Sequence, residues 1–198
     1  MGLKLEYIPG QTPLDENEIE GLLISTIATY EELNEFEQQN IEQAILWTLT
    51  RTFKQPKILT EEFIKEVHKR MYSEVWKWAG EFRKTNKNIG IEPFKIGPEL
   101  KYLLDDVNYW INNKTYTPDE IALRFKHRLV SIHCFPNGNG RHSRLMADIL
   151  IEKAFKLPVF SWGASILSMQ NNSRTEYLKA VKAADKGDIN PLLLFARS

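Results

Sequence analysis

Apolar residues recur at three- and four-residue spacing along most of the chain and strand-like alternation is scarce, so the pattern predicts an all-α domain. Thr29-Tyr30-Glu31-Glu32 has the form of a capping box, in which hydroxyl and carboxylate each satisfy a free backbone N–H of the other's turn. Behind it Leu33, Phe36, Ile41, Ala44, Ile45 and Leu49 form one predicted inward stripe of a long helix ending near Thr52. Thr60-Glu61-Glu62-Phe63 starts another, with Phe63, Val67, Met71 and Val75 in register and Gly80 as its stop. Pro98 opens a helix through Leu100, Leu103, Leu104, Val107 and Trp110. Thr117-Pro118-Asp119-Glu120 caps the next, which turns Ile121, Phe125, Leu129 and Ile132 toward the core. The last helices run from Gln170 to Asp185, stopped by Gly187, and over Pro191-Leu192-Leu193-Leu194-Phe195.

Three stretches interrupt this rhythm. Pro9, Gly10 and Pro13 make the opening an extended arm that Thr12 is expected to convert into a first helix. Between Phe82 and Gly97 the period is lost, and the turn formers of Lys84-Thr85-Asn86-Lys87-Asn88-Ile89-Gly90-Ile91 predict a small β-hairpin flap, the alternative being a plain connecting loop. His133-Cys134-Phe135-Pro136-Asn137-Gly138-Asn139-Gly140 then breaks the helix, which resumes at Arg141.

Composition narrows the class. A chain of 198 residues, 42% hydrophobic, can bury a core as roughly one domain, and 26 basic against 26 acidic residues give no excess for nucleic acid. A single cysteine, Cys134, excludes a disulfide framework and suits a reducing compartment, so the cytoplasm is expected. The start lacks the pattern of a secretion signal, and no apolar run approaches the roughly eighteen residues of a membrane span, so no membrane partner is expected. The five tryptophans sit at helical spacing among aliphatic residues and are expected in the core, and His68, His127 and His142 are expected in structural or surface roles.

The interrupted helix carries the chemistry. A helix N-terminus bears about half a positive charge, so Arg141 and Arg144 in its first turns oppose the dipole unless an anion sits between them. Gly138 and Gly140 let backbone N–H groups turn inward, the free N–H groups of the first turn add donors, and the two arginines lie on one face. A polyphosphate fits. No Lys-Ser or Lys-Thr follows the glycines, which excludes a P-loop, and no strand precedes them, which excludes the dinucleotide fingerprint. His133, beside this cradle, is placed to take a proton from an incoming hydroxyl, a reading that outweighs a capping histidine because of the adjacent loop. Cys134 points about 100° away on a helix end and reads as a packed residue, not a nucleophile.

The run from His133 to Arg144 closely resembles the Fic domain signature, His-Pro-Phe-x-Asp/Glu-Gly-Asn-Gly-Arg-x-x-Arg. Trp78-Ala79-Gly80-Glu81-Phe82-Arg83 resembles that family's approach to its flap, and Tyr177 through Phe195 its C-terminal helices. Thr12-Pro13-Leu14-Asp15, with Glu32-Leu33-Asn34-Glu35, further resembles the small bacterial Fic proteins called mobile mystery protein B. The resemblance implies a Fic-type helical domain over 31–198, with 1–30 as an N-terminal arm and inhibitory segment. It implies a protein adenylyltransferase that moves AMP from ATP, with Mg²⁺ or Mn²⁺, to a Ser, Thr or Tyr hydroxyl of a protein. His133 would be the base and Phe135 the loop's anchor, and Gly138 and Gly140 would supply backbone donors. Asn139 would bond the α-phosphate, Arg141 the phosphate chain and Arg144 the γ-phosphate. Asn88, Ile89 and Gly90 in the flap would align the target by strand addition, and Tyr177 would stack near the adenine or pack.

Two departures and one further match qualify it. Asn137 stands where the family carries a metal-binding acid, so metal affinity is expected to fall, which opens the alternative of a weakly active or inactive nucleotide-binding module. Cys134 replaces the family's proline, and Gly140 stands where the phosphate-transferring Doc branch has lysine, so adenylylation leads phosphotransfer. Thr12 to Asn17 matches the family's inhibitory Ser/Thr-x-x-x-Glu-Gly/Asn, which would pair Glu16 with Arg144, and is equally an ordinary helix start. Glu20-Gly21 is a second, poorer match; failing both, an antitoxin-like partner would inhibit. Removal of AMP from a modified protein is the remaining alternative.

Overall fold

The computed structural model describes residues 13–164 and 173–198. Helices account for nearly all regular structure among them: α1 (Glu16–Ile19), α2 (Tyr30–Thr50), α3 (Gln55–Ile58), α4 (Glu61–Tyr72), α5 (Ile96–Asn113), α6 (Pro118–Ile132), α7 (Asn139–Ile149), α8 (Ser173–Asp185) and α9 (Asn190–Arg197). Expected helix starts are realised at Thr29, Thr60 and Thr117, whose hydroxyls accept from the N–H groups of Glu32, Phe63 and Glu120. The expected cap Thr12 lies outside the described residues, as do Gln170 to Asn172 of the last long helix. α1 is capped instead by Asp15, in a reciprocal box with Glu18.

α6 packs on α7 and α5, α2 and α7 both pack on α4, and α8 pairs with α9. Phe125, Leu129, Phe135, Met146, Ile149 and Met71 are fully or nearly fully buried where these layers meet. Burial of such side chains stabilises the fold by about 1.5–3 kcal/mol each. No helix of the described residues is long and apolar enough to cross a membrane.

Four expectations need correction. On α2 the inward stripe is Leu33, Glu37, Asn40, Ile41, Ala44 and Thr48, while Phe36, Ile45 and Leu49 are exposed. The helix is rotated toward its polar partners: Asn40 donates to the Arg70 carbonyl at 3.0 Å and accepts from Glu74 N–H at 3.0 Å. α4 ends at Tyr72, not Gly80, because the chain there turns to bridge Trp76 with Leu22, Lys77 N–H donating to the Gly21 carbonyl at 2.8 Å. The 82–91 segment pairs no strands with itself; it is a series of bends. Of the tryptophans only Trp76 is fully buried, the other four packing half-buried against the core.

Candidate active site

α6 ends on His133, which adopts the left-handed conformation (φ 58°, ψ 61°) that an L-residue holds only when its surroundings enforce it. Arg83 supplies much of that enforcement. Its buried guanidinium donates to the carbonyls of His133 at 2.6 Å and Thr85 at 2.8 Å, and also to those of Ile91 and Ile132. One side chain thus ties both ends of the 84–91 segment to the turn at His133. Sequence reasoning placed Arg83 only in a resembling stretch; nothing in its spacing announces four backbone acceptors.

The loop's interior is closed by Asn139 and two histidines. Asn139 is buried, its Nδ2 donating to the Phe135 carbonyl at 2.7 Å and its Oδ1 accepting from Phe135 N–H at 3.0 Å. Its amide is therefore a staple of the loop, and what it presents to a ligand is its backbone N–H. His68 accepts from Gly80 N–H at its Nδ1 (3.0 Å), which leaves the proton on Nε2 to donate to the Asn137 carbonyl (3.1 Å). Its ring stacks on Phe135 at 3.7 Å, and His142 reaches the Ile64 carbonyl at 3.0 Å, so both serve structurally. Burial holds His68 well below the ordinary histidine range and His142 at about 4. Cys134 is buried and its thiol is pushed up to about 12, which removes it as a nucleophile.

α7 begins on Gly138 (φ 77°) with no side-chain cap and no acidic residue in its first turn. α4 and α6, by contrast, have threonine caps and first-turn carboxylates. The first helical bond is His142 N–H to the Gly138 carbonyl at 2.9 Å, so the N–H groups of Asn139, Gly140 and Arg141 face out of the helix end. A Cβ on Gly138 would strike the Tyr72 ring at 2.5 Å, whereas one on Gly140 would meet nothing within 4 Å. The two glycines thus differ: packing and a left-handed backbone require Gly138, whereas Gly140 stands beside open space.

The two arginines differ as well. Arg141 Nη2 lies 2.6 Å from Oε2 of Glu37, whose Oε1 accepts from Trp76 Nε1 at 2.6 Å, and its guanidinium lies over the Tyr72 ring. Glu37 is the neighbour of the site that sequence reasoning missed, since the predicted stripe of α2 did not include it. Arg144 lies over the Tyr177 ring, 5.5 Å from its centroid. Tyr177 also contacts Phe195 at 5.6 Å, so it packs between helices.

Asn88 and Ile89 are exposed, and Gly90 (φ 94°) lies against His133, where a Cβ would come within 2.5 Å of the histidine's own. Thr85 donates to Asp15 at 3.0 Å, and Lys87 pairs with Glu18, fastening α1 to this segment. Glu16 is exposed on α1, and no ion pair between it and Arg144 occurs among the described residues. Burial, with Arg83 close by, pushes His133 down to about 4, so its imidazole is neutral and able to accept a proton at physiological pH.

The residues do not fit a protein-held metal. Asn137 offers a neutral Oδ1 that already accepts from Gly138 N–H at 2.6 Å, and the described residues contain no group of three or more acids, histidines or cysteines able to hold an ion.

A helical domain organised around a glycine-led helix start, with a buried histidine behind it, is the class this architecture defines. Residues 58–151 match the Fic/DOC family, and the chain carries a Fic/DOC family domain. The protein adenylyltransferase Fic of Aedes aegypti is 32% identical over 144 residues, covering 69% of this chain and 27% of that protein. The chain therefore spans about a quarter of the length of the curated relatives it matches. Fic-1 of C. elegans superposes with a TM-score of 0.67 at 22% identity, over 90% of this chain and 50% of that one. BepC of Bartonella tribocorum, solved with bound AMPPNP, gives 0.68 at 18% identity, over 92% and 97%.

Proposed function

We propose that this chain transfers AMP from ATP to a hydroxyl of a target protein. The observation that carries the reading is the conjunction of a buried, neutral His133 with an uncapped α7 start whose Gly140 flank is open. A triphosphate laid on the outward N–H groups of Asn139, Gly140 and Arg141 meets the helix dipole, with Arg141 and Arg144 on its further phosphates. The target hydroxyl oxygen attacks the α-phosphorus, the new O–P bond forms as the bridge to the β-phosphorus breaks, pyrophosphate leaves, and the hydroxyl proton passes to His133. A positioned base contributes about 10²–10⁴-fold when its pKa lies near the working pH, and less when held as low as His133. Gly90, pressed on His133, and the exposed Asn88 and Ile89 are the edge on which the target backbone lies. The named relative adenylyltransferases and the AMPPNP in a solved neighbour support ATP as donor. The residues quoted from the N-terminal arm support the mobile mystery protein B subgroup, with inhibition through Glu16 or an antitoxin-like partner.

The test uses ATP labelled at the α- or the γ-phosphate, with lysate as target. Protein labelling from the α-label only, lost in His133→Ala, is the expected outcome; labelling from the γ-label would make the chain a kinase. A second reading, nucleotide binding with little turnover, is favoured by the neutral, already bonded Asn137. A strong gain of labelling in Asn137→Asp would identify the native chain as an attenuated enzyme.

A further inference from the structure

Lys126, on α6, is completely buried, and its Nζ has no hydrogen-bond partner among the described residues. An ammonium has three donors, and leaving all of them unused in the interior is costly unless something completes them. Its immediate surroundings are the ring of Tyr177 on α8, 4.6 Å away at the centroid, and Arg144 on α7, which lies over the same ring at 5.5 Å. Two cations sharing one ring repel each other, and the acid that acts on Arg144, Asp148 of α7, is taken up by Trp162 Nε1 at 2.9 Å and Phe160 N–H at 3.1 Å. The acid that acts on Lys126, Asp185 of α8, is taken by His127 Nε2 at 2.8 Å. Asp106 of α5 pairs with Arg128, and Arg197 of α9 with Asp119.

We propose that Lys126 is a second cation of the anion site at Arg144, serving the terminal phosphate of a bound nucleoside triphosphate, with Tyr177 as the ring both cations share. This rests on the adenylyl-transfer reading for the ligand's identity, but only on the geometry for its charge. Burial first, then Arg144, brings the Lys126 amine down to about 7. A polyanion arriving at Arg144 would favour the charged form, so binding takes up a proton above neutral pH.

Titration calorimetry on the full chain with AMP, ATP and inorganic tripolyphosphate tests the assignment, using wild type, Lys126→Met and Lys126→Gln with folding checked by melting. Expected is a loss of about tenfold or more in ATP and tripolyphosphate affinity with AMP unchanged, the scale of a charge-assisted contact. In the wild type, tripolyphosphate affinity should also fall between pH 6.5 and 8.5 more steeply than in Lys126→Met, which shares the ligand's own ionisation. Equal losses for AMP and ATP, unchanged affinities, or identical pH slopes would overturn the assignment. Wild type that binds tripolyphosphate with these dependences but not ATP would sink the adenylyl-transfer reading and leave the anion site standing. Should both variants fail to fold, the wild-type pH slope and the buffer dependence of its binding enthalpy still decide, since the absence of proton uptake contradicts the proposal.

Discussion

Arg141 and Arg144 stand three residues apart on one helix, and the protein treats them in opposite ways. On the α2 side, Arg141 meets a carboxylate at 2.6 Å, and that carboxylate is itself held by an indole. On the α8 side, Arg144 faces an aromatic ring and a buried lysine without a partner. One wall of the cradle is therefore charge-compensated before any ligand arrives, and the other sets two cations against a single acid, Asp148, that is bonded elsewhere. A preorganised wall fixes orientation; one with cations in excess supplies attraction.

The largest expected effect is the titration of the buried histidines around the cradle. His133 and His142 are each held near 4 and His68 is also depressed, so the folded state binds fewer protons than the unfolded chain between pH 6.5 and 4. Their contribution is present above 6.5 and is lost as pH falls through 4, on the order of 3 kcal/mol for each of the first two. Asp148, raised to about 6 by burial, acts oppositely: its contribution is full below its ordinary value and fades as pH rises through 6, offsetting about one histidine. Denaturant titrations at pH 7 and 4.5 should show a net loss of at least about 3 kcal/mol, His68 adding to the two other histidines. Over the same range the His133 base limb of the pH–rate profile should stay flat, where an ordinary histidine would titrate near 6.5.

Glycine substitutions come next. Gly138→Ala drives a methyl into the Tyr72 ring at a left-handed position and should cost about 3 kcal/mol in chemical denaturation, by overpacking plus strain. Gly140→Ala meets open space in a helix, so stability should hold or rise by about 0.5 kcal/mol while nucleotide affinity drops. Equal stability losses at the two sites would mean the flank of Gly140 is not the ligand's place.

The difference between the walls also explains what could be read without the structure. Helix starts at Thr29, Thr60 and Thr117 were legible because a cap and its partner lie three residues apart. The loop was legible because glycines and arginines contradict a helix dipole locally. Glu37 was not: its burial makes sense only once Arg141, more than a hundred residues away, is beside it, and an amphipathic count puts any glutamate outside. Arg83 and Lys126 were missed for the same reason, since their roles lie in backbone acceptors and a ring contributed by other elements. The absent hairpin follows too: Arg83 takes up carbonyls at both ends of the 84–91 segment, and α1 holds its middle through Thr85 and Lys87.

Removing the carboxylate of the compensated wall costs less stability than acidification or Gly138→Ala, and it is the sharpest test of the comparison. Glu37→Gln keeps the shape and the indole's acceptor but strands the Arg141 charge, and because that side chain remains about 30% exposed, water recovers part of the loss. A decrease of about 2 kcal/mol is expected, below the 3–5 typical of a fully buried pair. Arg144→Ala should change stability by less than about 0.5 kcal/mol, because Asp148, the acid its charge acts on, keeps its bonds from Trp162 Nε1 and Phe160 N–H. The two variants should exchange rank when nucleotide affinity is measured instead: Arg144→Ala weakens triphosphate binding more, while Glu37→Gln frees Arg141 and leaves it the same or tighter. If Glu37→Gln weakened binding as much as Arg144→Ala, Arg141 would need its carboxylate to aim at phosphate, and the compensated wall would be the one that grips.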